Sequence, residues 1–176
     1  MSLKINVDLS SLNSLITELG NQAAAAIRPA SQAAAQVLYD RAKGNVRRIG
    51  KKTGKLERSI YQAYSKTQSN ESRAVYEVSY NASTAPHGGL VEYGHIQRYV
   101  IYKTKNGQYR PLVRPEMRGK SKLGKGSSTA AKDAYYVLLP VPKQVAAQPF
   151  LRPVIDHFDE AVSAARVALS ARILTP

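Results

Sequence analysis

The chain of 176 residues contains no cysteine and no tryptophan, and only two of its residues are phenylalanine. Without cysteine it cannot hold a disulfide framework, a thiolate zinc or iron–sulfur site, or a cysteine nucleophile. No stretch approaches the ~20 apolar residues of a membrane-spanning helix, because Arg28, Pro29 and several glutamines interrupt the most apolar one, residues 21–38. The start of the chain does not lead into an apolar segment, so no signal peptide is expected. Hydrophobic residues nevertheless make up 43% of the chain, which predicts a folded core and a single domain over residues 1–176.

Positive charge is the first strong feature that is present. The chain has 26 Lys and Arg residues against 12 Asp and Glu, a net charge of +14, and the excess lies mainly in residues 41–58 and 98–132. Such an excess fits a nucleic acid, an acidic protein partner or a place in an assembly, and it leaves the fold open. An ordinary solvated surface would also account for it.

Apolar residues recur at helical spacing from Leu12 to about Val46, which predicts a long helix over residues 8–46 with Asp8 as its N-cap. At 1.5 Å per residue this helix would be nearly 60 Å long, whereas a globule of this length has a radius of gyration of about 16 Å. Either Pro29 kinks or divides the helix, or its overhanging part packs on a neighbouring subunit.

The middle of the chain has the signals of strands. Five segments rich in β-branched and aromatic residues are predicted to be strands: residues 56–64, 74–80, 98–103, 108–113 and 134–139. Asn106 and Gly107 predict a hairpin turn, because both residue types tolerate positive φ. The Gly-, Ser- and Lys-rich residues 115–132 are predicted to form a mobile basic loop. With an amphipathic helix after Pro149, the class is α+β: a long N-terminal helix, a mostly antiparallel sheet of about five strands and a C-terminal helix.

The sequence shows no convincing constellation for catalysis. His87, Glu92 and His95 lack the i, i+4 spacing of a helical metal site, so ordinary loop histidines are the simpler interpretation. No nucleophile elbow supports a Ser/His/Asp triad. The Gly-Lys-Ser sequence at residues 119–121 lacks the first glycine of a phosphate-binding loop. We therefore predict no catalytic, metal-binding or cofactor-binding residue, and no enzymatic activity.

Three short motifs follow one another: GKLERSI at residues 54–60, APHGGLVEYGH at residues 85–95 and QPFLRP at residues 148–153. We call them the first, second and third motif. Their residue types suit turns and packing. Gly54 permits a tight turn, and Phe150 and Leu151 can be buried. Leu90, Val91 and Tyr93 can anchor a short turn that Gly94 ends. The structural residues of the motifs are predicted to be Gly54, Leu56, Ile60, Leu90, Glu92, Tyr93, Gly94, Pro149, Phe150, Leu151 and Pro153.

In this order, over about residues 9–170, the motifs resemble the small tail-component or tail-completion family of long-tailed bacteriophages. The family pattern is a long N-terminal helix, G-x-L-x-x-S-I, Y-A-x-x-V-E-Y-G-T and P-F-L-x-P. The chain departs from it in having His87-Gly88-Gly89 in place of an aromatic residue and Ala, and His95 in place of Thr.

The resemblance implies a virion structural protein of the head-to-tail joint, or neck, which is in the host cytoplasm only during assembly. It also implies a homo-oligomeric ring, expected to be hexameric, that docks on tail-terminator, tail-tube or connector proteins, with non-specific contact to genome DNA and none to a membrane. The basic loop is expected to face an acidic neighbour rather than DNA. The alternative is a sequence-independent nucleic-acid-binding protein. The candidates for interface or phosphate contacts are Arg47, Arg48, Lys51, Lys52, Arg114, Arg118, Lys120, Lys122 and Lys125.

Overall fold

The computed structural model describes residues 10–50, 53–70, 72–124 and 126–173, with side chains from residue 17 onward. The helices described are α1 Ser10–Ile49, α2 Lys55–Ser59, α3 Gly88–Tyr93, α4 Thr129–Tyr135 and α5 Phe158–Ile173. The strands described are β1 Ile60–Tyr64, β2 Tyr76–Tyr80, β3 His95–Tyr99, β4 Ile101–Lys103, β5 Tyr109–Pro111 and β6 Leu138–Val145. Short 3-10 turns form at Lys66–Gln68, Pro115–Met117 and Arg152–His157. The predicted α+β class is thereby confirmed.

The chain forms two compact units, which we call the helical unit, Met1–Glu92 with Gln148–Pro176, and the basic unit, Tyr93–Ala147. The sequence contains no signal for this division, because neither junction is marked by a linker-like stretch of Pro, Gly or Ser. The single domain predicted for residues 1–176 stays a prediction.

Helix α1 dominates the helical unit and is continuous through Pro29, so the helix is not divided there. Pro29 has no backbone N–H, so the Ala25 carbonyl lacks its hydrogen bond within the helix. Because Ala25 is exposed, water can donate to that carbonyl instead. The helix ends at Ile49, and the next residue, Gly50, has a φ of 94° that favours glycine. It is three residues longer than predicted at this end, and its predicted cap, Asp8, lies outside the described residues.

Helix α5 packs along α1 in the opposite direction. Arg41 of α1 bonds Glu160 at the start of α5, with Nη2 2.7 Å from Oε2, and Ala30 of α1 shares a groove with Leu169 near its end. The 16 residues of α5 span about 24 Å, so the first third of α1 extends beyond it. Residues 17–21 are all exposed, and burial on α1 becomes complete only at Ala26. The predicted overhang is present within this unit.

The core of the helical unit is small and lies where α1 meets the β1–β2 pair and the third motif. Its buried members are Ala42, Val46, Leu56, Ile60, Ala85, Phe150 and Val154. Strands β1 and β2 are antiparallel, with Ile60 opposite Tyr80, as predicted. Residues 55–59, however, form a helical turn and not the start of a strand, because Gly54 adopts a φ of 67° and its carbonyl accepts from the Arg58 N–H.

The basic unit has two antiparallel ladders, β3 with β6 and β4 with β5. With β1–β2 this makes three two-stranded sheets among the described residues instead of the predicted single sheet. The predicted strand at residues 134–139 begins only at Leu138, because the side chain of Ser128 caps α4 by accepting from the Ala131 N–H at 3.2 Å. Residues 129–132, expected to be loop, are the first turn of that helix, and residues 115–117 form a 3-10 turn.

The predicted hairpin is present between β4 and β5, although its turn differs in type. Only Gly107 has positive φ, at 74°, and no non-glycine residue described does. The Gly107 N–H donates to the Thr104 carbonyl at 2.8 Å, and the Thr104 N–H donates to the Gln108 carbonyl at 2.8 Å. This pattern fits a type I turn followed by a glycine bulge.

Candidate assembly surfaces

The most highly organised polar site of the described chain is the carboxylate of Glu92, at the end of α3. It is 2% exposed and accepts from three successive backbone N–H groups, those of Phe150 at 2.8 Å, Leu151 at 3.0 Å and Arg152 at 2.9 Å. The Arg152 side chain encloses the group, donating from Nε to Oε1 at 3.2 Å and from Nη2 to the Glu92 carbonyl at 2.6 Å. The second and third motifs are thus joined by one buried side chain.

This arrangement keeps the carboxylate ionised. Burial by itself would raise the pKa of Glu92, but the backbone donors of Leu151, Phe150 and Arg152, together with the Arg152 guanidinium, outweigh it and lower the pKa below its ordinary value. A carboxylate enclosed by structural donors, with no open side, is suited to fastening two segments together and not to proton transfer. Sequence reasoning placed Glu92 in the motif and missed this role, because no pattern indicates which N–H groups it receives.

Two glycines of the second motif, Gly88 and Gly94, are explained by close packing. A Cβ on Gly88 would overlap the ring of Tyr80, which in turn packs edge-on against Phe150 with centroids 5.6 Å apart. Position 88, in the segment where the chain departs from the family pattern, therefore has no room for a side chain. Gly94 has a φ of 71°, and a Cβ there would lie 2.7 Å from the Val145 carbonyl oxygen.

The remaining motif residues separate into buried and exposed ones. Leu56, Ile60 and Phe150 are buried, and Leu151 packs against the core while partly exposed. Leu90 and Tyr93, expected to anchor the second motif, are instead 48% and 69% exposed. Val91, the third residue named as an anchor, packs against the core. Pro149 and Pro153, on either side of Phe150, are half-buried.

An apolar groove of about 830 Å³ lies between α1, β2 and α5 in the helical unit. Ala30, Ala34 and Leu38 line it from α1, Val78 from β2, and Phe158 and Val162 from α5. Phe158 is 54% exposed, and Ile155, also in the groove wall, is 68% exposed. Apolar side chains gathered in an open groove are typical of interaction surfaces.

The basic candidate residues occur in both units. In the helical unit Arg47 pairs with Glu57 at 2.7 Å, and Arg48 donates to the Asn45 side chain at 3.5 Å. In the basic unit Arg114 donates to the Tyr136 carbonyl at 3.1 Å. Arg118, Lys120 and Lys122 are exposed and have no ion pair among the described residues. Lys51, Lys52 and Lys125 lie outside the described residues.

The described residues contain no group of three or more His, Asp or Glu side chains that could hold a metal ion. His87 and His95, the histidines of the second motif, therefore have no shared ligand set in this part of the chain. No described helix is both long and apolar enough to cross a membrane.

Comparison with known proteins bears on the region from α1 to the second motif. Residues 11–94 match the HK97-gp10-like family, "Bacteriophage HK97-gp10, putative tail-component". This match confirms the resemblance to a phage tail-component family that the sequence predicts. The matched residues are fewer than the predicted 9–170 and end at Gly94, so the third motif lies outside them. No curated protein and no solved structure matches the chain.

Within the matched region lie α1 from Ser11 onward, the β1–β2 pair and Glu92, whereas the donors to Glu92 come from residues 150–152. The third motif, although unmatched, is therefore an integral part of the same packing unit. A family of structural tail components also favours a non-enzymatic role for the chain.

Proposed function

We propose that this tail component acts at the head-to-tail joint of the virion, as a tail-completion protein that forms a homo-oligomeric ring, expected to be hexameric. In this role it docks on tail-terminator, tail-tube or connector proteins. The observation that carries the proposal is the apolar surface of the helical unit that no described residue covers: α1 extends beyond α5, and the groove beside it is open.

The size of the core supports assembly. Phe150 is the largest side chain that is fully buried among the described residues, whereas Leu19, Ile155, Phe158 and Val167 are all more than 40% exposed. A unit with so little buried apolar surface gains further stability when those side chains are covered by another subunit.

The charge distribution supports docking on an acidic surface. The basic unit has eleven Lys and Arg residues and two acidic ones, which leaves it with nine of the chain's fourteen net positive charges. Complementary charge on a partner would speed association and fix its orientation. Arg118, Lys120 and Lys122 are the residues best placed for this contact, and genome DNA is a second anionic partner that they would meet without sequence preference.

The test of a head-to-tail role is a phage that carries a nonsense codon early in this reading frame. Electron microscopy of the lysate should show filled heads and complete tails that are not joined, and expression of the protein from a plasmid should restore infectious particles. Lysates that lack tails altogether would place the protein in tail formation instead. Light scattering of the purified chain at low and high salt, with and without duplex DNA, tests the ring: discrete oligomers independent of DNA are expected.

The exposed cations of the basic unit favour one alternative, sequence-independent binding of nucleic acid. In that case the logarithm of the binding constant falls linearly with the logarithm of salt concentration, with a slope set by the number of phosphates contacted. A chain that gains mass only with DNA, and loses it at high salt, would support this alternative over the ring.

A further inference from the structure

The groove beside α5 has the dimensions and chemistry of a helix-binding site. Its walls combine small residues, Ala30 and Ala34, with larger apolar ones, Phe158 and Val162. Small residues on one wall let another backbone approach closely, and the larger ones provide apolar area to bury. One cation, Arg166, also lines the groove; it is exposed and has no ion-pair partner among the described residues.

The overhanging start of α1 is the matching element. In the sequence Leu12, Leu15, Ile16 and Leu19 follow the i, i+3, i+4, i+7 spacing of one helix face. Leu19, the member whose side chain is described, is 42% exposed. Residues 10–27 contain one charged residue, Glu18, and no Lys or Arg, although the chain as a whole has a net charge of +14.

The overhang cannot fill the groove of its own subunit. The overhang and one wall of the groove both belong to α1, which is an unbroken helix over Ser10–Ile49. Leu19 is therefore held about 22 Å along the helix axis from Ala34, in the middle of the groove wall. An occupant made of residues 10–24 must come from a second copy of the chain.

We propose that residues 10–24 of α1 in one subunit dock in the groove between α1, β2 and α5 of the next subunit, with Glu18 facing Arg166. The overhang is about 22 Å long and α5 about 24 Å, so the two helices match in length. Such a contact joins two different surfaces of the subunit and is therefore heterologous. A heterologous contact closes into a ring when the rotation between subunits permits. The inference rests on the proposed ring and specifies its subunit contact.

Charge reversal gives the first test, with the full-length chain and light scattering over a concentration series. Glu18→Arg and Arg166→Glu are both changes of exposed side chains outside the core, so folding should persist, which circular dichroism can verify. Each single variant should need about tenfold more protein for half-assembly, and the double variant should recover most of the loss. Arg172→Glu, on α5 but outside the groove lining, is the matched control and should assemble normally.

Cross-linking gives a second test that does not depend on the charge pair. The chain has no cysteine of its own, so Leu19→Cys and Val162→Cys, made in separate chains and mixed, offer one thiol each to a short bismaleimide. Covalent heterodimers are expected. Leu19→Cys mixed with Val167→Cys is the control, because Val167 is on α5 but does not line the groove.

The outcomes separate this inference from the ring itself. Discrete oligomers that neither respond to the charge variants nor cross-link through residue 162 would overturn the docking and leave the ring standing. A chain that stays monomeric at every concentration and does not cross-link would overturn both the docking and self-assembly of the isolated protein.

Discussion

The helical unit and the basic unit use charge in opposite ways. The helical unit has ten acidic and fifteen basic residues, and its carboxylates hold its own parts together: Glu92 with Arg152, Glu160 with Arg41, and Glu57 with Arg47. The basic unit has two carboxylates, and both are engaged, Asp133 with Arg98 at 2.9 Å and Glu116 with Arg114 at 3.8 Å. Its other cations have no carboxylate of their own unit left to pair with.

The two units also differ in what stabilises them. The helical unit has a buried cluster around Phe150 and a buried carboxylate. In the basic unit Tyr135 is the one buried hydrophobic side chain of the described residues. The helical unit thus has the features of a scaffold, and the basic unit those of a charged surface held by backbone ladders. Substitutions in the first should change stability, and substitutions in the second should change binding.

The largest expected effect comes from Phe150→Ala, which would remove the fully buried ring from the centre of the helical unit. Deleting a buried phenylalanine costs about 3–5 kcal/mol, because a cavity remains where the ring was. Urea unfolding monitored by circular dichroism measures the change. A loss below about 1 kcal/mol would mean that the helical unit does not depend on this core, and the contrast between the units would fail.

Glu92→Gln should be the next largest, and its effect should depend on pH. The folded state lowers the pKa of Glu92, so the carboxylate stabilises the fold above its unfolded pKa of about 4.3. This stabilisation is lost as pH falls through the lower folded pKa. The wild type should therefore lose stability more steeply than Glu92→Gln on acidification below about pH 5. Parallel stability profiles for the two chains would contradict the buried clamp, and Glu160, which titrates in both, serves as the internal control.

Gly88→Ala tests the packing that explains the glycine at position 88. The new methyl group would overlap the Tyr80 ring, and overpacking of this kind costs about 1–3 kcal/mol. Gly89→Ala is the matched control, because the nearest atom to a Cβ there is the Tyr80 hydroxyl at 3.3 Å, which can shift. Differential scanning calorimetry should show a clear loss for the first variant and little change for the second; equal losses would contradict the ring contact.

How far the sequence predicts this structure depends on whether a signal is local. The long helix, the β1–β2 pair and the hairpin at Gly107 follow from periodicity and turn residues within a few positions, and all three are found. The role of Glu92 depends on N–H groups 58 to 60 residues away, and no local pattern reports such a contact. The sequence predicts a strand at residues 56–64, but residues 55–59 form a helical turn. The αL conformation of Gly54 turns the chain there, and strand propensity alone does not report it.

The division into units was equally hidden, for a related reason. Gly94 and Ala147 lie at the ends of the basic unit, and a Cβ on Gly94 would meet the Ala147 N–H at 2.8 Å. Glycine permits this close approach between distant residues. One glycine does not change the local composition, however, so composition does not mark the junction between the units. The candidate basic residues could be found from charge alone, whereas their partners inside the fold, such as the Tyr136 carbonyl for Arg114, could not.

Arg41→Ala should have a small effect, despite the bidentate geometry of Arg41 with Glu160. The two side chains are 42% and 48% exposed, and an exposed pair contributes little to stability because solvent screens the attraction. The pKa of Glu160 is lowered by its hydrogen bond to Arg41, and an NMR titration should find that it rises in the variant. An unchanged pKa would show that the pair is not formed in solution.

The smallest effect on stability, and the sharpest test of the comparison, is expected for the triple change of Arg118, Lys120 and Lys122 to Gln. These exposed side chains have no ion pair among the described residues, so the free energy of unfolding should stay within about 0.5 kcal/mol of the wild type. Joining of heads to tails in an in vitro complementation assay should nevertheless fall, most clearly at low salt. The difference from the wild type should narrow as salt rises, because salt screens the attraction between these cations and an anionic partner. A variant that unfolds more easily would show that these cations stabilise the fold, and one that joins heads and tails normally would remove the docking role of the basic unit.

The same change made at Lys55, Lys66 and Arg73 of the helical unit is the matched control: it removes equal charge, and head-to-tail joining should be retained.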